Sequence, residues 1–127
     1  EELYASSNLF LGGISLDELP SEMTVLDLAG NKFDGTLNLE NLPATLVSFY
    51  VEKNLFHGSV SLIHLPKTLE SLYISENLLS GGIDLTALPE GIREIFLNNN
   101  CFSGSADFSN LPESLYELDV SCTNLEG

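Results

Sequence analysis

The sequence predicts a solenoid, in which short parallel strands stack coil on coil into one sheet and extended or turn segments run along the opposite side, with little or no α-helix. Proline recurs at Pro20, Pro43, Pro66, Pro89 and Pro112, a spacing of 23 residues. Asparagine recurs at Asn8, Asn31, Asn54, Asn77 and Asn100, and glycine at Gly12, Gly35, Gly58, Gly81, Gly104 and Gly127, both on that same 23-residue spacing. Between them, apolar residues fall two apart, the period of a strand rather than the 3.6 of a helix.

Each element of the unit follows from its residues. The segments Leu3-Ala5, Leu26-Leu28, Phe49-Val51, Leu72-Ile74, Ile95-Leu97 and Leu118-Val120 are expected to be the strands, with their apolar side chains facing inward. The asparagine follows where the chain must turn, and its amide is expected to be buried and bonded to backbone groups that the turn would otherwise orphan. Phe10, Phe33, Phe56, Leu79, Phe102 and Leu125 then form a column expected to fill the core. The glycine permits a sharp return. After it, Ile14-Leu16, Leu37-Leu39, Val60-Leu62, Ile83-Leu85 and Ala106-Phe108 read as extended or short-strand structure on the convex side. Recurrent proline argues against a helix there. The array occupies residues 1–127 as one domain, since no coil can bury its own core. Both ends read as uncapped, and Thr123 stands where asparagine belongs with Asn124 one place late, so a fragment of a longer protein is expected.

The unit from Leu46 to Thr68, LVSFYVEKNLFHGSVSLIHLPKT, and its neighbours share the pattern L-x-x-L-x-L-x-x-N-x-F-x-G-x-I-x-L-x-x-L-P-x-x. This resembles the leucine-rich repeat family, whose defining segment is L-x-x-L-x-L-x-x-N-x-L. The repeat length and the Leu-Pro pair are most similar to repeats of kinetoplastid and other protozoan proteins. The resemblance implies a curved solenoid that serves protein–protein interaction through its concave sheet.

The formal charge of −15, from 4 Lys+Arg against 19 Asp+Glu, repels phosphate backbones and anionic lipid and so argues against nucleic-acid and membrane-surface roles. No apolar run reaches the roughly 18 residues of a membrane span, so no direct membrane insertion is expected. The acids divide almost evenly between the strand side and the turns and convex side, which suits solubility better than a focused site.

With the leucines inward, Tyr4, Asp27, Tyr50, Tyr73, Phe96 and Asp119 form the central column of the concave face. Tyr50, Tyr73 and Phe96 are consecutive and should stack. As a binding strip, they would anchor a protein or peptide; as ordinary strand residues, they would simply support each other across the sheet. The flanking columns add Glu52 and Asn98 on one side and Glu94 and Glu117 on the other. With Asp119, Glu94 and Glu117 favour a basic partner at the C-terminal end, where only Arg93 opposes them.

Other chemistry finds few residues. Asp84 and Asp107, one repeat apart, make at most a weak calcium site. His57 and His64 read as exposed loop residues, and Cys101 and Cys122 as too far out of register for a disulfide. No Cys-His or Ser-His pair can be placed, so no catalytic residues, metal or cofactor are assigned. The expected function is non-enzymatic recognition through the concave face. The alternative is a structural spacer or a segment that associates end to end.

Overall fold

The computed structural model describes residues 1–127. Six three-residue strands, at Glu2–Tyr4, Val25–Asp27, Ser48–Tyr50, Ser71–Tyr73, Glu94–Phe96 and Glu117–Asp119, form one parallel sheet in sequence order. Its register pairs residues 23 apart, as in Leu26 with Phe49 and Phe49 with Leu72. The strands start and end one residue before the expected segments, centring each on its inward apolar residue. Leu26, Phe49, Leu72 and Ile95 are fully buried, while the residues on either side are half-exposed.

The convex side differs in place from the expectation. The second set of strands lies at Leu11–Gly12, Lys32–Phe33, His57–Gly58, Leu78–Gly81, Cys101–Ser105 and Asn124–Glu126, around the phenylalanine column rather than after the glycine. The first two pair as one short sheet and the other four as another. The segments after the glycine, from Leu37-Leu39 to Ile83-Leu85, bury alternate side chains as expected but join no ladder. These strands follow the buried asparagines, whose amides tie each coil to the one before it and so favour ladder bonds there. The one helical element is a 3-10 turn at Leu16–Glu18. No helix is long and apolar enough to cross a membrane.

A single core of 24 buried apolar residues runs through the stack. Phe56, Leu79 and Phe102 are fully buried, with Phe33 stacked on Phe56 at 6.3 Å and Phe10 on Phe33 at 6.0 Å. Asn31, Asn54, Asn77 and Asn100 lie beside this column, only 6–8% exposed. Each joins two coils in the same way. Asn77 Nδ2 donates to the carbonyls of Ile74 and Ser75 in its own turn and of Val51 in the preceding coil, while its Oδ1 accepts from the Phe56 amide. The buried amide therefore satisfies the Val51 and Ile74 carbonyls and the Phe56 amide, which no backbone bond reaches, and shares the Ser75 carbonyl with the Lys53 amide.

Two further devices support the turn. The residue before each asparagine sits in the left-handed region, as Ser7, Gly30, Lys53, Glu76 and Asn99, and so does Cys122 before Thr123. This wraps the chain around the amide at a steric cost of about 1–2 kcal/mol wherever the residue is not glycine. At the opposite rim, Thr45, Thr68 and Ser114 each donate to two carbonyls of the preceding coil at 2.6–3.1 Å. Gly91 occupies that place in the fourth coil, where an added Cβ would meet nothing within 4 Å.

Replacing Asn77 with leucine would leave several buried backbone groups unpaired, at about 1–3 kcal/mol each. The urea midpoint should fall sharply, whereas Asn8→Leu, at an exposed end with bonds only to Ala5 and Ser6, should change it little. Conversely, Gly91→Thr should raise the midpoint by about 1 kcal/mol of stability, through the hydroxyl bonds its neighbours already make and a less flexible unfolded chain.

Candidate concave recognition face

The in-register sheet puts equivalent positions of neighbouring coils side by side. It brings together the three rings that the sequence singled out. Tyr73 meets Tyr50 edge-on, with centroids 4.9 Å apart and planes at 86°, and Phe96 at 4.5 Å and 53°. All three remain half-exposed. Spacings and tilts of this kind are the favourable ones for aromatic pairs. Tyr4 and Asp119, at the ends of the same column, stand apart from the ladder, with Asp27 interposed between Tyr4 and Tyr50.

Glu94 is tied into this ladder. One of its oxygens accepts from Tyr73 Oη at 2.7 Å and from Ser71 Oγ at 3.3 Å, and the other accepts from Tyr116 Oη. These hydroxyls, Tyr116 first and Tyr73 second, hold the Glu94 carboxyl below the usual range. Burial foremost, and then the bond to Glu94, pushes the Tyr73 phenol well up, and the same carboxylate is the main cause of the rise at Tyr116. Glu94 therefore braces the ring ladder. Tyr116 and Ser71 were not singled out from the sequence. Their signal was position alone, since Ser71 is the strand partner of Glu94 and Tyr116 directly precedes Glu117, its strand partner on the other side.

The remaining C-terminal acids do not converge with Glu94 on Arg93. Arg93 Nε lies 3.4 Å from Glu70 Oε2. Asp119 Oδ1 accepts from the Ser121 amide at 2.8 Å, closing its own turn, and Glu117 is exposed. On the other flank, Glu52 is half-buried and burial raises its carboxyl. Glu52 Oε2 and Asn98 Oδ1 are buried with no hydrogen-bond partner, the two side-chain oxygens in the chain so placed. Buried polar atoms without partners are uncommon enough to require a reason.

Elsewhere the titratable groups serve turns. Asp84 accepts from Thr86 and Asp107 from Ser109, each within its own coil. Those hydrogen bonds lower both carboxyls. His64 Nδ1 lies 3.6 Å from Glu40 Oε1, and His57 is exposed. No three His, Cys, Asp or Glu side chains come together as a metal set. Cys101 and Cys122 are exposed and unpaired.

The bracing of the ladder has a pH signature. A depressed folded value means that Glu94 contributes stability above the unfolded carboxylate range and loses it as pH falls through the folded value. The stability difference between the wild-type chain and Glu94→Gln should thus be present at neutral pH and begin to shrink as pH falls below about 4, disappearing only once pH is under the depressed folded value. In an alkaline absorbance titration, the same substitution should bring Tyr116 most of the way back toward about pH 10 and Tyr73 only part of the way, since burial at Tyr73 remains.

No protein-family model matches the sequence, and no curated protein is similar enough to match. Eight chains of solved structures do match. One belongs to the crystal structure of the BIR3–SERK2 complex from Arabidopsis thaliana, with a TM-score of 0.69 and 24% identity, covering 98% of this chain and 69% of that chain. The likeness concerns the fold, a parallel-strand solenoid of the leucine-rich repeat type.

Proposed function

We propose that this chain is a non-enzymatic recognition module, built of leucine-rich repeats of the Leu-Pro type, that holds an extended segment of a protein or peptide along its hollow side. The observation that carries this reading is the ladder of Tyr50, Tyr73 and Phe96, half-exposed, packed ring to ring and braced from the side by Glu94. A rigid aromatic strip loses little conformational freedom on binding and offers a large amphipathic contact area, the properties that make tyrosine and its relatives frequent anchors at interfaces. The parallel sheet repeats its spacing of about 4.8 Å from coil to coil, so an extended segment can lie across several strands at once. Ser48, Ser71 and Ser75 beside the rings are small and leave their faces open to a partner.

A second reading, end-to-end assembly, is favoured by one observation. The first coil exposes Leu3, Leu9, Phe10 and Leu11.

The recognition reading is tested by selecting binding peptides from a displayed library on the immobilised chain, then measuring the best of them in solution. With Tyr73→Ala and Phe96→Ala combined, affinity should drop by about thirtyfold or more, the loss typical of central aromatic anchors. Undiminished affinity in a variant that keeps its sheet would move the binding surface away from the hollow side.

A further inference from the structure

The column beside the rings reads Ser6, Ala29, Glu52, Ser75, Asn98 and Ser121, and its smallest side chain is followed at once by Gly30. With little side chain at Ala29 and Gly30, a depression of about 430 Å³ opens on the hollow face, bordered by Asp27, Glu52, Tyr50 and Tyr73. Within that border, Glu52 Oε2 is buried and has no donor. Asp27, on the adjacent strand, spends Oδ1 on the Ala29 amide at 3.0 Å. The cation at the rim, Lys53, is drawn to Glu76, with Nζ 3.9 Å from Oε1.

Such a place asks for a donor that carries positive charge. A buried carboxylate oxygen without a partner is costly until a hydrogen-bond donor reaches it, and two carboxylates on neighbouring strands repel until a cation lies between them. The tyrosine rings add a third demand, since their faces attract cations and favour flat ones. A guanidinium meets all three together: it is always charged, its fork of donors can serve two carboxylates, and its plane lies on an aromatic face. An ammonium would supply the charge without the plane. Among the C-terminal acids, Glu94 already accepts from three hydroxyls, Asp119 closes its own turn as Asp27 does, and Glu117 is exposed, so none offers a buried oxygen without a donor as Glu52 does. The convex depression around Asp84 and Asp107 is larger, yet it holds no buried carboxylate oxygen without a donor and no aromatic ring.

We propose that the depression between Asp27, Glu52 and Tyr50 is the subsite for an arginine side chain of the bound segment. This rests on the recognition reading above and moves its basic end from the C-terminal acids to the second and third coils.

The test titrates three labelled hexapeptides, of arginine, lysine and citrulline, into the intact chain at constant salt, followed by fluorescence anisotropy. Citrulline keeps the shape of arginine without its charge. The arginine peptide should bind, the lysine peptide more weakly, and the citrulline peptide not detectably. Asp27→Asn with Glu52→Gln should weaken the arginine peptide by about tenfold or more. Glu117→Gln with Asp119→Asn should weaken it by less than about threefold, as expected for exposed charges. Amide shifts of Ala29 and Gly30 on addition of the arginine peptide would place it. Equal losses in the two double variants would reduce the effect to diffuse attraction and overturn the assignment. So would equal affinity for lysine and arginine, or no binding of arginine by the wild-type chain. These amide exchanges keep size and shape, and an unchanged thermal midpoint verifies that each variant is folded. If the selected library peptide depends on Tyr73 and Phe96 but is indifferent to Asp27 and Glu52, the arginine subsite fails while the recognition face stands. If it depends on neither pair, both fall.

Discussion

The fold depends on a carboxamide that bonds in two directions at once. In every interior coil the asparagine donates to two carbonyls of its own turn and one of the coil before, and accepts an amide from that same coil. Few side chains of this size carry both donors and an acceptor in one plane. An aspartate would bring no donors and an unpaired charge; a leucine would bring neither donor nor acceptor. The first and sixth turns use less of the device. Asn8 bonds only within its own turn, and Thr123, with one hydroxyl, donates to Val120 and reaches no carbonyl of the preceding coil. Besides the strand ladder, what links coil to coil is therefore a file of amides inside the molecule, with the apolar core packed against it.

The hollow face inherits its order from that file. Because the amides hold successive coils in strict register, like positions become neighbours, and any feature repeated in sequence becomes a ladder in space. This benefits the rings, which gain from contact at 4.5–4.9 Å. It burdens the acids, since Glu94 and Glu117 are placed directly opposite on adjacent strands, where like charges repel. Surrounding Glu94 with the hydroxyls of Ser71, Tyr73 and Tyr116 eases that burden and stiffens the ladder in the same stroke. Glu52 received no such company.

The periodic features were legible in the sequence because they rest on one residue type at one spacing. The six strands, the buried asparagines, the phenylalanine column and the adjacency of Tyr50, Tyr73 and Phe96 all belong to this class. What escaped is either conformational or pairwise. The left-handed residues at this turn are Ser7, Lys53, Glu76, Asn99 and Cys122 in five coils, and only Gly30 hints at the backbone they share. The rim hydroxyls of Thr45, Thr68 and Ser114 recur on the period but pass for ordinary turn residues until their carbonyl partners are seen. The convex strands fall on residues as unlike as His57 and Cys101, because pairing there is decided by proximity of the coils and not by side-chain type. The bond from Tyr116 to Glu94 depends on how a long side chain lies across one strand, which no spacing encodes.

The same register bears on whether the molecule would stack on itself. A second copy continuing the array past the last coil would place its Glu2 beside Glu117, since the strands at Glu2–Tyr4 and Glu117–Asp119 occupy the same place in the repeat. Glu94, Glu117 and the incoming Glu2 would then form three like charges in a row, and each copy carries a formal charge of −15. Against this stand the apolar contacts that Leu9, Phe10 and Leu11 would gain and the carbonyls that Asn8 would find in the neighbouring coil. The apolar contribution is short in range and indifferent to salt, whereas the charge repulsion reaches across a whole coil and weakens as salt is added. End-to-end association is thus opposed most strongly at low ionic strength. On the recognition reading, an extended basic segment along the hollow side would be favoured most strongly there. The two readings therefore respond to salt in opposite directions, and the imbalance of acids over bases that discourages the first is the one that draws the second.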